Sequence, residues 1–180
     1  MTRSQSEKLD QSTKLAKIQI ELVVRQVQNI LDTKQVISAG PFLYSIIQVE
    51  SDKKKLLKAI ILYYQEGTPN SQFYCRPTTA QYLAQFLLQA HVSCSQSRKV
   101  TSLPLILISP LDTVAGLSIV VGIPPVDDKN RKNFLGKAFE QAVTNTGTRY
   151  LLDYFDSNVI QIKTEDKTKF LDGLIAIMSR

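Results

Sequence analysis

The sequence predicts an α+β domain, a mostly antiparallel sheet of about five to six strands carrying four helices, in the order α-ββα-ββα-ββα. Short apolar runs rich in branched and aromatic residues, bounded by Gly, Pro, Asn and Asp, alternate with longer stretches of helical period. The apolar runs come in pairs before each helix, which favours hairpins and hence antiparallel neighbours. A content of 43% hydrophobic and 21% charged residues over 180 positions suits one globular domain that buries its own core without a disulfide or metal staple.

Residues 1–13 hold one apolar side chain beyond Met1, Leu9, and are expected to form a flexible tail. The single domain is expected over 14–180. In 14–32, Ala16, Ile20, Val23, Val27 and Ile30 recur at spacings of four and three, a helical stripe. The same segment alternates at Ile18, Ile20, Leu22 and Val24 as a strand does. The helical match runs longer and the segment lacks Gly and Pro, so an amphipathic helix is expected.

After Gly40-Pro41, residues 42–49 (FLYSIIQV) read as a strand, with 56–65 (LLKAIILYYQ) as its hairpin partner. Thr78-Thr79-Ala80-Gln81 has the form of a capping box and opens a helix whose apolar face is Ala80, Leu83, Phe86, Leu87 and Ala90. The runs 103–108 and 116–123 are almost continuously apolar, as interior strands covered on both faces are. Asp127 is placed to cap a helix with the face Phe134, Leu135, Ala138, Phe139 and Ala142, ending near Gly147. Residues 150–155 and 159–163 form another hairpin. The last helix opens at Thr164, gains dipole support from Glu165 and Asp166, and buries Phe170, Leu171, Leu174, Ile175 and Met178.

Chemistry-bearing residues are scarce: one histidine, two cysteines, no tryptophan, and neither GxGxxG nor GxxxxGK[ST]. His91 has no carboxylate within a helical turn to orient it, and Cys75 and Cys94 cannot complete a four-ligand zinc site with it. No metal and no cofactor is expected, and catalysis is disfavoured. The most specific enzymatic pattern is Asp153 and Asp156 with Lys163 two positions beyond Gln161, the acid and lysine arrangement of a Mg²⁺-dependent nuclease, with Gln161 in place of the usual second acid.

The chain carries net charge +6, and its basic residues cluster at Lys53, Lys54, Lys55 and Lys58, at Arg98 and Lys99, and at Arg131 and Lys132. Convergence of these clusters in space would make a nucleic-acid surface. The first helix carries Leu15, Ile18 and Leu22 on a flank beside its main stripe, more apolar surface than one docking face needs, which suits a partner chain or a second copy. The reading is therefore a non-enzymatic interaction domain acting as adaptor, assembly or regulatory subunit. Nucleic-acid association, with its nuclease version, is the alternative, and a small-molecule sensor a third. A polar start and the lack of an apolar run near 18–20 residues predict neither signal sequence nor membrane span, hence a reducing, cytoplasmic setting.

Overall fold

Side-chain alternation along two central strands fixes the layers of the molecule. In β3 (Leu105–Asp112), Leu105 and Leu107 point to one face of the sheet and Ile106 and Ile108 to the other; in β4 (Leu117–Ile123), Ile119 and Val121 oppose Val120 in the same way. All seven are buried, so each face needs a cover. A computed structural model describes residues 3–47, 76–95, 98–112, 114–126, 134–152 and 156–179. Among these are four α-helices and one six-stranded sheet, α+β and mostly antiparallel as the sequence predicts.

Helix α1 (Arg3–Asp32) leads into β1 (Ile37–Ser38) and β2 (Leu43–Ile46); α2 (Pro77–Cys94) precedes β3 and β4; α3 (Leu135–Thr146) precedes β5 (Tyr150–Leu151) and β6 (Val159–Lys163); α4 (Lys167–Met178) closes the chain. The strand order is β1-β2-β3-β4-β6-β5. Every neighbouring pair is antiparallel except β2 with β3, where Leu43 to Ile46 run parallel to Leu105 to Ile108. That pair is parallel because α2 lies between the two strands in sequence and carries the chain back along the sheet. The first strand pair is thus Ile37–Ser38 with Leu43–Ile46; the expected partner strand at 56–65 lies outside the described residues.

One face of the sheet is covered by α2, with α1 packed on α2. Val23, Val27 and Ile30 of α1 join Ala80, Leu83, Ala84, Leu87 and Leu88 of α2 over Leu43, Leu105, Leu107, Ile119, Val121 and Val159. The other face is covered by α3 and α4, where Phe139 and Phe170 meet edge to face at 5.7 Å over Ile106, Val120 and Ile160. Each fully buried aliphatic or aromatic side chain contributes about 1.5–3 kcal/mol of transfer free energy. Gly147 ends α3 with φ 60°, in the left-handed region that favours glycine, and its amide returns to the last turn of the helix.

Local readings change where tertiary contacts compete. The capping box at Thr78 does not form: α2 starts at Pro77 with no side-chain cap, Thr79 is buried against α1, and Gln81 reaches across to Asp156. Proline at the first position removes an orphan amide without a cap. Phe86, expected in the core, is exposed, while Ala84 and Leu88 are buried, because α2 is gripped on two sides by sheet and α1. Helix α1 begins at Arg3, ahead of the expected start at residue 14. Among the described residues no helix is long and apolar enough to cross a membrane.

Candidate functional site

Where α1 meets α2, Gln19 Nε2 donates to Thr79 Oγ1 at 3.0 Å, in the first turns of α2. The buried α1 residues Val23, Val27 and Ile30 follow Gln19 just as the buried α2 residues follow Thr79, so the two helices run side by side in the same direction. The part of α1 before Gln19 therefore extends past the start of α2. From Arg3 to Ile18 this arm is about 24 Å long at 1.5 Å per residue, and every described side chain from Lys8 to Ile18 is exposed. On the line of the stripe that α2 covers at Val23 and Val27, the arm carries Ala16 and Leu9 with the polar Ser12 and Thr13 between them, and nothing of the described chain lies over it.

Of the three residues expected to contact a partner, Leu15 is 67% and Ile18 51% exposed, and both stand on the arm. Leu22 lies on the same flank but is half-buried, because it has reached the level of α2. The exposed apolar side chains go beyond the Leu15, Ile18 and Leu22 set: Leu9, Ile20 and Val24 of α1 and Tyr82 and Phe86 of α2 are exposed as well. The sequence signal for the latter pair is that α2 contains no Lys, Arg, Asp or Glu in its 18 residues.

Of the nuclease residues, Asp156 and Lys163 stand apart. Asp156 stands before β6 and Lys163 at its far end, and the strand alone sets them about 13 Å apart. Asp156 Oδ2 accepts from Gln81 Nε2 at 2.8 Å and its Oδ1 from the Asn158 amide at 2.9 Å, a turn and an α2 tether. Lys163 Nζ donates to the Ala115 carbonyl at 3.0 Å. Asp153 lies outside the described residues, and among the described residues no three His, Cys, Asp or Glu side chains group as metal ligands. Lys53, Lys54, Lys55, Lys58, Arg131 and Lys132 also lie outside the described residues. Arg98 and Lys99 open a 3-10 turn, Arg98–Ser102, where Lys99 is exposed.

Other polar residues act within the fold. His91 is half-buried on α2, and desolvation lowers its pKa, favouring the neutral ring. Asp166 accepts at Oδ2 from the amide (3.1 Å) and Nε (3.3 Å) of Arg149, and at Oδ1 from Lys169 Nζ (3.4 Å); Arg149 also pairs with Glu165. The backbone hydrogen bond from Arg149 chiefly, with the two cationic side chains, holds the Asp166 carboxyl below its ordinary range against desolvation. A carboxylate depressed in the folded state adds stability that is present at neutral pH and lost as pH falls below about 4 through the folded-state value. Asp166→Asn is accordingly expected to melt below the parent chain at pH 7, with the gap closing on acidification. Thermal melts from pH 7 to 3 check this, and a pH-independent gap contradicts it.

Depressions lie on both sides of the sheet among the described residues. An open groove of about 800 Å³ runs between Pro41, Pro104 and Pro125 at one end of the sheet and Phe134, Ile177 and Met178 on the helices. A smaller one, about 320 Å³, lies between Tyr82 and Gln85 of α2 and the turn carrying Asp156 and Asn158. Neither gathers a set of catalytic side chains.

Fold and surface together define an α/β/α-layered domain that offers a bare helical arm and no assembled reaction centre among its described residues. The CDC45 family profile matches residues 1–176, and the chain belongs to the CDC45 family. The human cell division control protein 45 homolog is 38% identical over 180 residues, spanning 99% of this chain and 29% of its own length. Cell division control protein 45 of Saccharomyces cerevisiae is 29% identical over 168 residues, 86% of this chain and 24% of its own. The crystal structure of CDC45 from Entamoeba histolytica shares the fold, with TM-score 0.60 and 24% identity over 90% of this chain and 28% of that one. The chain spans less than a third of the length of these relatives.

Proposed function

We propose that this chain is a non-enzymatic protein-docking domain of a CDC45-type cell division control protein, acting within an assembly and holding its partner through the α1 arm. The supporting observation is the apolar stripe of α1, covered by α2 from Val23 onward and bare from Leu9 to Ile18. A helix apolar beyond its packed length is stable in water only at the cost of hydrating that surface, and a partner removes the cost. The exposed Cys94 thiol supports a reducing compartment as part of this reading.

The test is Leu15→Glu combined with Ile18→Glu. Both positions are exposed, so folding stability should move by no more than about 0.5 kcal/mol. The parent chain is expected to elute from native extract in a high-mass complex and the double variant as the free chain. Identical elution of the two overturns the proposal. Concentration-dependent association of the purified chain alone would replace it with self-association. Retention on DNA that falls steeply with salt and ignores the two substitutions would instead favour a nucleic-acid role for the lysine clusters.

A further inference from the structure

Among the described residues that line the smaller depression, Asp156 carries the one formal charge. Its carboxylate is held from two directions by neutral donors, the Gln81 side-chain amide at 2.8 Å and the Asn158 backbone amide at 2.9 Å. These use two of the roughly four acceptor positions of a carboxylate. The ion pairs among the described residues join Arg149 to Glu165 and Asp166, and Lys169 to Asp166; none reaches Asp156. The buried Asp166 thus takes two cations from its own chain, whereas the half-buried Asp156 takes none from a chain of net charge +6.

The surroundings hold that carboxylate still. The Val159 amide donates to the Asp156 carbonyl at 3.0 Å, and the Gly122 amide at the end of β4 donates to the Asn158 carbonyl at 2.9 Å, so the turn is tied both to β6 and to β4. Across from it, Gln81, Tyr82 and Gln85 lie on one side of α2, at spacings of three and four residues. Thr79, which bonds Gln19 of α1, is about 200° around the helix from Gln81, so the depression lies on the flank of α2 away from α1. Tyr82 is 56% exposed and offers its ring as a wall, and α2 brings no Lys, Arg, Asp or Glu.

A fixed carboxylate beside an exposed aromatic ring complements a planar cation: a guanidinium gives paired N–H donors to the acid and a flat face to the ring, where an ammonium gives a point charge. We propose that this depression takes the arginine side chain of a separate protein, its guanidinium on the open acceptor positions of Asp156 and against Tyr82, with the Gln85 amide at the rim. The volume, about 320 Å³, stands at the bottom of the range for small-molecule sites and suits one long side chain. Phosphates and carboxylates are repelled by Asp156. A free amino acid would bring a carboxylate for which no described lining residue supplies a cation. A metal ion or polyamine calls for several acids, and among the described residues no three His, Cys, Asp or Glu side chains group. The arginine therefore belongs to a polypeptide, where its α groups are amides. The contact shares no residue with the α1 arm and does not depend on it.

The experiment is an NMR titration of the isotope-labelled full chain with N-acetyl-arginine methylamide, and with the corresponding citrulline and lysine compounds. Citrulline keeps the shape of arginine and removes its charge. The expected result is a saturable shift of the Gln81, Tyr82, Asn158 and Val159 amides with a midpoint in the millimolar range for arginine, weaker for lysine and absent for citrulline. Asp156→Asn, whose carbonyl still accepts from the Asn158 amide, is expected to weaken binding about tenfold, and Tyr82→Ala about threefold. The spectrum of each variant reports its own folding. No saturable shift up to about 50 mM, a midpoint too weak to matter on the affinity scale, overturns the proposal, as does an equal response to citrulline or one unchanged by Asp156→Asn. Tighter binding of free arginine than of the blocked form overturns the assignment to a protein side chain. The Leu15 and Ile18 double variant is expected to titrate as the parent does, so failure of the arm and failure of this site are told apart.

Discussion

Phe139→Ala is expected to lower the unfolding free energy by about 3–5 kcal/mol, the usual cost of emptying a fully buried aromatic site. Phe139 is completely inaccessible, sits edge to face with Phe170, and fills the space between α3, α4 and the sheet that Ile106, Val120 and Ile160 line. Truncation loses the transfer free energy of the ring, the edge-to-face contact and the dispersion contacts around the cavity. For a domain of this length each kcal/mol shifts Tm by about 2–4 °C, so a fall of about 6–20 °C in a thermal melt is the readout. A fall under a few degrees would show that α3 and α4 collapse to fill the void. The effect is on stability alone, since Phe139 lies on the face of the sheet away from α1 and its arm.

Gly122→Ala gives the complementary result. A Cβ at this β4 position would lie 2.8 Å from Phe139 Cζ and 3.1 Å from Leu135 Cδ1, both buried and held by α3. Closer than van der Waals contact, the methyl must push a ring that has no free space to enter, and about 1–3 kcal/mol of destabilisation is expected. The diagnostic is the pair. If the ring is what the methyl strikes, Phe139→Leu in the same chain relieves the clash, and the double variant is more stable than the sum of the single changes predicts, by about 0.5–3 kcal/mol of coupling. Denaturant titration of the four proteins measures it; strict additivity would place the strain elsewhere.

Much of the architecture was legible because burial imposes period. The runs around Leu105–Asp112 and Leu117–Ile123 are apolar on both alternating sets, as strands between two helix layers must be, and they proved to be the centre of the sheet. The stripe Val23, Val27, Ile30 and the left-handed Gly147 were equally plain. What escaped the sequence was whatever depends on pairs of distant residues. Thr78 and Gln81 have the spacing of a cap, but Gln81 bonds to Asp156 and the neighbouring Thr79 to Gln19, partners 75 and 60 positions away. The parallel alignment of β2 with β3 carries no local signal at all. The α1 flank was visible as surplus apolar surface at Leu15, Ile18 and Leu22, yet which part stays bare depends on where α2 begins to cover it. Asp156 and Lys163 are near in sequence, but the rise of a strand sets them at opposite ends of β6.

The single parallel pairing has a kinetic consequence. β3 meets β4 through a tight turn, so this pair closes a small loop and carries little entropic penalty, whereas β4 meets β6 only after α3 and β5 have come between them. β2 joins β3 only once the long intervening segment, α2 included, has come round, and contacts of such high order are slow to form. During that lag the nascent molecule holds β3 with an unpaired backbone rim and a run of bare aliphatic side chains, the condition under which strands recruit neighbours into aggregates. Refolding yield should therefore fall with protein concentration even where the finished fold is stable.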